Sequence, residues 1–280
     1  MFDASRRGSP LALRTAFVLA VVGLMLWSTS VVYLRHNELL LVYRRPHVPG
    51  PVADEGLVEL RTTDRLRLDA LSLAHESPAR YWILFCPPSA GTIHGRLRSQ
   101  LESLHAAGYN VFAFDYRGYG RNPGTPSEAG LYEDALTAYR YLTQQLEVAP
   151  HRIILGGRSL GSAVAVELAT RVPSAGLLLL SAIDSVPAVA SRVYFWAPVR
   201  LLASQRFDSM AKAPRVSVPV LQVHSTHDWM VPIDAAHALF RRFPGRKAIL
   251  ELSGGHNDVG FAEGESLSHA LARFWPNPAR

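Results

Sequence analysis

Apolar and polar residues alternate along this chain in two different rhythms. Near the N-terminus, Ala16 to Leu34 reads AFVLAVVGLMLWSTSVVYL, nineteen uncharged residues between Arg14 and Arg35. As a helix rising about 1.5 Å per residue it reaches roughly 28 Å, close to the hydrocarbon thickness of a bilayer. From about Leu57 the rhythm shortens. Leu66, Leu68 and Ala70 alternate with Arg65, Arg67 and Asp69, the pattern of a half-exposed strand. Six apolar runs of the buried-strand type follow: YWILF (81–85), NVFAF (110–114), RIILG (152–156), GLLLLS (176–181), PVLQVHS (219–225) and AILEL (248–252). Helical stretches lie between them, clearest over Leu131 to Leu146, Leu160 to Thr170 and Ala235 to Phe243. Strands alternating with helices predict an α/β domain with a mostly parallel sheet and helices on both faces.

The N-terminal segment has competing readings. As an uncleaved membrane anchor, it places Tyr33 at the head-group level and Trp27 at mid-segment. As a cleaved signal peptide, it has Arg6, Arg7 and Arg14 as the positive flank and Ser28 and Ser30 as small residues at the cleavage site. The apolar run continues past those serines and exceeds the 7–15 residues or so of a signal core, which favours the anchor. A buried core helix fits less well, because the segment is apolar on every face. The positive charges flanking the segment balance, Arg6, Arg7 and Arg14 against Arg35, Arg44 and Arg45. The expected organisation is an anchor over 1–43 with its helix at about 15–35, a proline-rich stiff linker over 44–56, and a catalytic domain over 57–280.

Composition narrows the picture. Hydrophobic residues make up 48% and charged residues 19% of the 280, enough to bury a sizeable core. The net charge of +6 is carried almost wholly by arginine, Lys212 and Lys247 being the only lysines. No basic run exceeds two residues, so nucleic-acid binding is not supported. The one cysteine, Cys86, excludes an intramolecular disulfide and a cysteine-rich metal site.

Ligands of open α/β sheets bind beyond the carboxyl ends of the strands, so the chemistry is sought just after each apolar run. After RIILG comes Gly157-Arg158-Ser159-Leu160-Gly161, a G-x-S-x-G motif between a predicted strand and a predicted helix. In so tight a turn, side chains two residues either side of the serine would meet neighbouring backbone, and the serine itself takes a strained conformation. A serine nucleophile needs a general base. His256 lies in the loop Ser253-Gly254-Gly255-His256-Asn257-Asp258 after the final apolar run. The acid is expected at Asp228, after PVLQVHS and before Val231-Pro232, which gives the order Ser, acid, His. Asp184, after GLLLLS, is the rival acid, its other reading being a helix cap before Val186-Pro187. His224 and His227 read as loop-structuring residues rather than metal ligands. An oxyanion hole needs two backbone N–H donors. Leu160 supplies one; in the loop after YWILF, Pro87 and Pro88 have none to give, so Ser89 is the first residue able to supply the other. The paired prolines also signal a rigid turn or a cis bond.

At these residues the chain resembles the α/β-hydrolase superfamily, and within it the single-pass, membrane-anchored serine hydrolases that include acylglycerol lipases, lysophospholipases and depalmitoylases. The resemblance runs from about Leu57 to Asp258. It is carried by Asp115-Tyr116-Arg117-Gly118-Tyr119-Gly120, Pro126 to Leu142, Gly157 to Gly161, Arg206-Phe207-Asp208-Ser209 and Gly255-His256-Asn257-Asp258. It implies a Ser159–Asp228–His256 triad. The family's His-Gly before the oxyanion loop is Pro87-Pro88 here, its serine after the D-Y-R-G turn is Asn122, and its His-Gly before the acid is His224-Ser225. The expected activity is hydrolysis of ester or thioester bonds in lipid-like acyl substrates, without metal or cofactor. A cap over Ile183 to Val218, rich in apolar and aromatic residues, is expected either to take an acyl chain or simply to pack on the sheet. A small-ester esterase, a peptidase and a non-catalytic scaffold binding lipid or protein are the alternatives. If the linker separates the two parts, a fragment starting near Val52 keeps the chemistry.

Overall fold

The computed structural model describes residues 10–45, 56–76, 80–257 and 264–276. Helix α1 spans Pro10–His36, and after a one-residue break a short helix, α2, spans Glu38–Val42. Of the expected linker, residues 46–55 lie outside the described residues. The strands are β1 (Leu57–Arg61), β2 (Arg67–Leu73) and β3 (Trp82–Cys86), then, after α3 (Arg96–Ala106), β4 (Asn110–Phe114). Next come α4 (Glu128–Gln144), β5 (Ile153–Arg158), α5 (Leu160–Ala169) and β6 (Gly176–Leu180). Three short helices follow, α6 (Val186–Val193), α7 (Val199–Leu202) and α8 (Ser209–Lys212), in the stretch read as a cap. The chain closes with β7 (Val220–Ser225), α9 (Ile233–Arg242), β8 (Lys247–Leu252) and α10 (Gly264–Phe274).

The eight strands form one sheet in the order β1-β2-β4-β3-β5-β6-β7-β8. β1 pairs with β2 and β2 with β4 antiparallel, and every pairing from β4 to β8 is parallel. The central strands read as unbroken apolar runs because both faces are covered. Their side chains still alternate: Trp82, Leu84 and Cys86 join a core with α4 and α5, whereas Ile83 and Phe85 join one with α3 and α10. β1 and α3 are additional to the runs read from the sequence. α3 presents Leu97, Leu101 and Leu104 to the second core, an i, i+4, i+7 stripe.

A buried ion pair fixes the turn after β4. Asp134 of α4 accepts from the Arg117 backbone N–H at 2.9 Å and from its guanidinium at 2.7 and 3.0 Å, and Asp64 takes the outer side of the same guanidinium at 2.9 Å. Asn122, where the resembling family has serine, is fully engaged there. Its Oδ1 accepts from the Asp69 N–H at 2.8 Å and its Nδ2 donates to the Asp115 carbonyl at 2.7 Å.

Candidate active site

The serine turn is enforced by its glycines. Ser159, between β5 and α5, has φ 52° and ψ −119°, a left-handed conformation that costs a non-glycine residue on the order of 1–3 kcal/mol. A Cβ on Gly157 would stand 2.2 Å from the Gly161 carbonyl oxygen, and one on Gly161 would stand 2.1 Å from that of Cys86. The strain is held by the Ser159 N–H donating to the Leu180 carbonyl at 3.0 Å, and by Ser162 Oγ donating to the Ser159 carbonyl at 2.6 Å.

Asp228 and His256 come from the ends of the two neighbouring strands. Asp228 follows β7, and its Oδ1 accepts from the backbone N–H groups of Met230 and Val231 at 2.9 and 2.8 Å. Its Oδ2 accepts from His256 Nδ1 at 2.7 Å, so His256 Nε2 faces Ser159 Oγ as an acceptor at 2.9 Å. Three residues separated by as much as 97 positions thus form one continuous hydrogen-bonded chain, and all three are buried. Burial alone would raise the Asp228 carboxyl; the His256 hydrogen bond and the Val231 N–H outweigh it and hold it below the usual carboxylate range. The His256 loop is pinned by Ser181 Oγ, which donates to the His256 carbonyl at 3.0 Å. Asp258, at the end of that loop motif, lies outside the described residues.

The remaining candidates separate cleanly. Asp184 faces Arg192 in an ion pair and accepts from the Ser185 N–H, away from His256. The cap of α6 is Ser185, which accepts from the Ala188 N–H at 3.2 Å, one residue after the position read for Asp184. His224 donates from Nε2 to the Val231 carbonyl at 2.8 Å and closes the acid's loop; burial lowers its pKa, so it stays neutral. His227 stands with Nδ1 beside Thr226 Oγ1. Among the described residues no cluster of His, Cys, Asp and Glu is arranged to hold a metal ion.

The loop after β3 contains no cis bond. Pro87 packs directly behind the elbow, its carbonyl accepting from Tyr116 Oη at 3.1 Å, and a turn closes as the Gly91 N–H donates to the Pro88 carbonyl at 3.0 Å. Ser89 lies on that turn beside Ser159 and Leu160, on the wall of one cavity of about 340 Å³. The Ser89 N–H takes no acceptor among the described residues. The Leu160 N–H, at the first position of α5, is among those a helix leaves unpaired.

The other wall of the cavity comes from two places. The cap contributes Ile183, Val186, Val189, Val193 and Tyr194, and the N-terminal helices contribute Leu34 of α1 and Leu40, Leu41 and Val42 of α2. That second contribution was not read from the sequence. Glu38 of α2, nearly buried, accepts from the Ser204 and Gln205 N–H groups at 2.6 and 2.9 Å, from Ser204 Oγ at 2.8 Å and from Arg35 at 2.6 Å. Tyr43, 1% exposed, donates to Gln205 Oε1 and packs edge-on against Phe207. Glu128 of α4 holds the next two residues of the same loop, accepting from the Arg206 and Phe207 N–H groups at 2.6 and 2.9 Å. Residues 204–207 are therefore a seam where α2, the cap and α4 meet.

A sequence profile described as serine aminopeptidase S33 matches residues 90–210. The uncharacterized protein Rv2307c of Mycobacterium tuberculosis is 35% identical over 268 residues, 92% of this chain and 93% of the relative. The alpha/beta hydrolase domain-containing protein aho-3 of Caenorhabditis elegans is 33% identical, over 80% of this chain and 68% of its own length. The human alpha/beta hydrolase domain-containing protein 17C is also 33% identical, over 71% of this chain and 60% of the relative. Among solved structures, the esterase Pf2001 of Pyrococcus furiosus superposes with a TM-score of 0.67 at 18% identity, over 82% of this chain and 98% of that one.

Proposed function

Because this chain belongs to the α/β-hydrolase superfamily, in the branch of the alpha/beta hydrolase domain-containing protein 17 relatives, we propose that it is a membrane-anchored serine hydrolase of acyl esters or thioesters. The observation that carries the proposal is the Asp228–His256–Ser159 hydrogen-bonded chain opening onto a largely apolar cavity. In this reading His256 Nε2 takes the Ser159 proton as Oγ attacks the acyl carbonyl. The ionised Asp228 holds the imidazole in the needed tautomer and stabilises the imidazolium. The N–H groups of Ser89 and Leu160 receive the oxyanion. The leaving group takes the proton from His256, and water then releases the acyl group by the same route.

Helix α1 is long and apolar enough to cross a membrane, and in this reading it serves as the anchor. An aminopeptidase finds less support. Capture of a peptide's ammonium terminus calls for an available carboxylate, and Glu38 is the sole carboxylate among the described residues lining the cavity. Both its oxygens are already engaged.

A fluorophosphonate probe tests the reading directly. Full-length protein is expected to label, and Ser159→Ala to abolish both labelling and turnover, the latter by on the order of 10⁴–10⁶. Labelling that survives Ser159→Ala overturns the assignment.

A further inference from the structure

The cavity is not closed by the catalytic domain alone. It is lined by Ser159, His256, Leu160 and Ser89 and also by Leu40, Leu41 and Val42 of the segment that follows α1 directly. Leu40 and Leu41 are 58% and 39% exposed, as leucines lining an open cavity are, whereas Glu38 and Tyr43 on either side are buried in the seam. The wall is therefore built in: its frame is fixed by buried polar contacts and its apolar side chains are left facing space.

Two further observations say where the cavity leads. Leu34, near the end of α1, lines it and also lines a second cavity beside it, between Thr29, Ser30 and Tyr33 of α1 and Trp196 of the cap. The Trp27 indole N–H donates to the Trp196 carbonyl at 3.0 Å, so the cap rests against α1 well before the helix ends. With 27 residues α1 is about 40 Å long, roughly 10 Å more than the hydrocarbon needs. The cap touches α1 at Trp27, inside the uncharged stretch between Arg14 and Arg35. Phe195 and Leu201 of the cap are each 84% exposed, apolar side chains suited to contact with lipid.

We infer that the juxtamembrane helix α2 forms the acyl-binding wall of the active site, and that the occupant is the hydrocarbon chain of a lipid or lipidated substrate entering sideways from the leaflet in which α1 ends. This deepens the proposed hydrolase activity and rests on it. The anchor is then part of the substrate site as well as a tether.

The test uses full-length protein in phosphatidylcholine vesicles and a hexadecyl fluorophosphonate carrying a diazirine at the far end of its chain. The phosphonate reports on Ser159; photolysis and peptide mapping report on the wall. The expected crosslinks fall within 34–42 and on the cap helices α6 and α7. Crosslinks confined to other residues overturn the inference while leaving the hydrolase reading intact, and absence of phosphonylation at Ser159 overturns the hydrolase reading itself. In parallel, Leu41→Asp should lower the ratio of kcat/KM for a palmitoyl ester over a butyryl ester at least tenfold. Leu146→Asp, an exposed leucine beyond α4, should leave that ratio unchanged. An unchanged ratio in Leu41→Asp counts against the wall.

Discussion

The sheet side of the cavity and the cap side are held in place by opposite means. On the sheet side, Ser159, Asp228 and His256 sit at the ends of β5, β7 and β8, and each backbone is locked by hydrogen bonds or by glycines that admit no Cβ. On the cap side the walls are helices of four to eight residues, and several of their large apolar side chains face outward. Side chains that must meet within about 3 Å to move a proton need a scaffold that cannot relax. A surface that receives a hydrocarbon chain needs apolar area rather than fixed angles, and short helices joined through one polar seam provide it.

After Ser159, the acid of the triad should show the greatest loss. Asp228→Asn should leave the fold intact and lower turnover by on the order of 10³–10⁴, because the imidazole loses its tautomer and its counter-charge. Asp184→Asn should change turnover little, since that carboxylate faces Arg192. Steady-state kinetics of the two variants on one ester decides it, and a reversed outcome moves the acid to the end of β6.

The second test falls on the seam. Glu38→Ala strips a nearly buried carboxylate from two backbone N–H groups, one hydroxyl and Arg35. Thermal unfolding in detergent should show a loss of about 2–4 kcal/mol, since hydrogen bonds to charged groups contribute about 1.5–3 kcal/mol each and part is recovered by water. Hydrogen exchange of 204–207 should rise. Glu38→Gln keeps one acceptor and should recover part of the loss. If neither variant differs from the parent, the cap side does not depend on its polar seam.

What the sequence made legible follows the same division. The central strands were readable because strands covered on both faces are continuous apolar runs. The elbow was readable because its glycine spacing is dictated by backbone collisions a few residues away. β1 was missed because it is an edge strand of five residues with little alternation, and α3 because its three-leucine stripe is interrupted by charged and polar residues. Glu38 was beyond reach for a different reason: apart from Arg35, its partners lie 166 and 167 residues later in the chain, so nothing local distinguishes it from a charged residue at a helix end. A fragment starting near Val52 would lack α2, which lines the cavity, and Tyr43, which packs against Phe207, so its turnover on short esters tests whether the chemistry depends on them.

The smallest effect expected is also on the sheet side, and it is read through pH. Asp115, at the end of β4, accepts from the Ile93 N–H at 2.8 Å and so ties the loop carrying Ser89 to the sheet. Its other oxygen is buried without a hydrogen-bond partner, 4.0 Å from His94 Nε2. Burial pushes its carboxyl up to about 7, with the nearby Asp69 adding to the rise and the Ile93 N–H opposing it. In the unfolded chain the same carboxyl titrates near 3.9. Between those values the folded state binds a proton that the unfolded state has released, so this group's contribution to stability is full below about pH 4 and is lost as pH rises through about 7. Asp115→Asn retains an oxygen for the Ile93 N–H but cannot ionise. The variant's unfolding free energy should therefore fall less than the parent's between pH 5 and pH 8, by on the order of 1–2 kcal/mol, in paired denaturant titrations. Parallel pH profiles for the two proteins would mean that Asp115 is already ionised at pH 5, and that the Ser89 loop is held by a charged carboxylate rather than a neutral one.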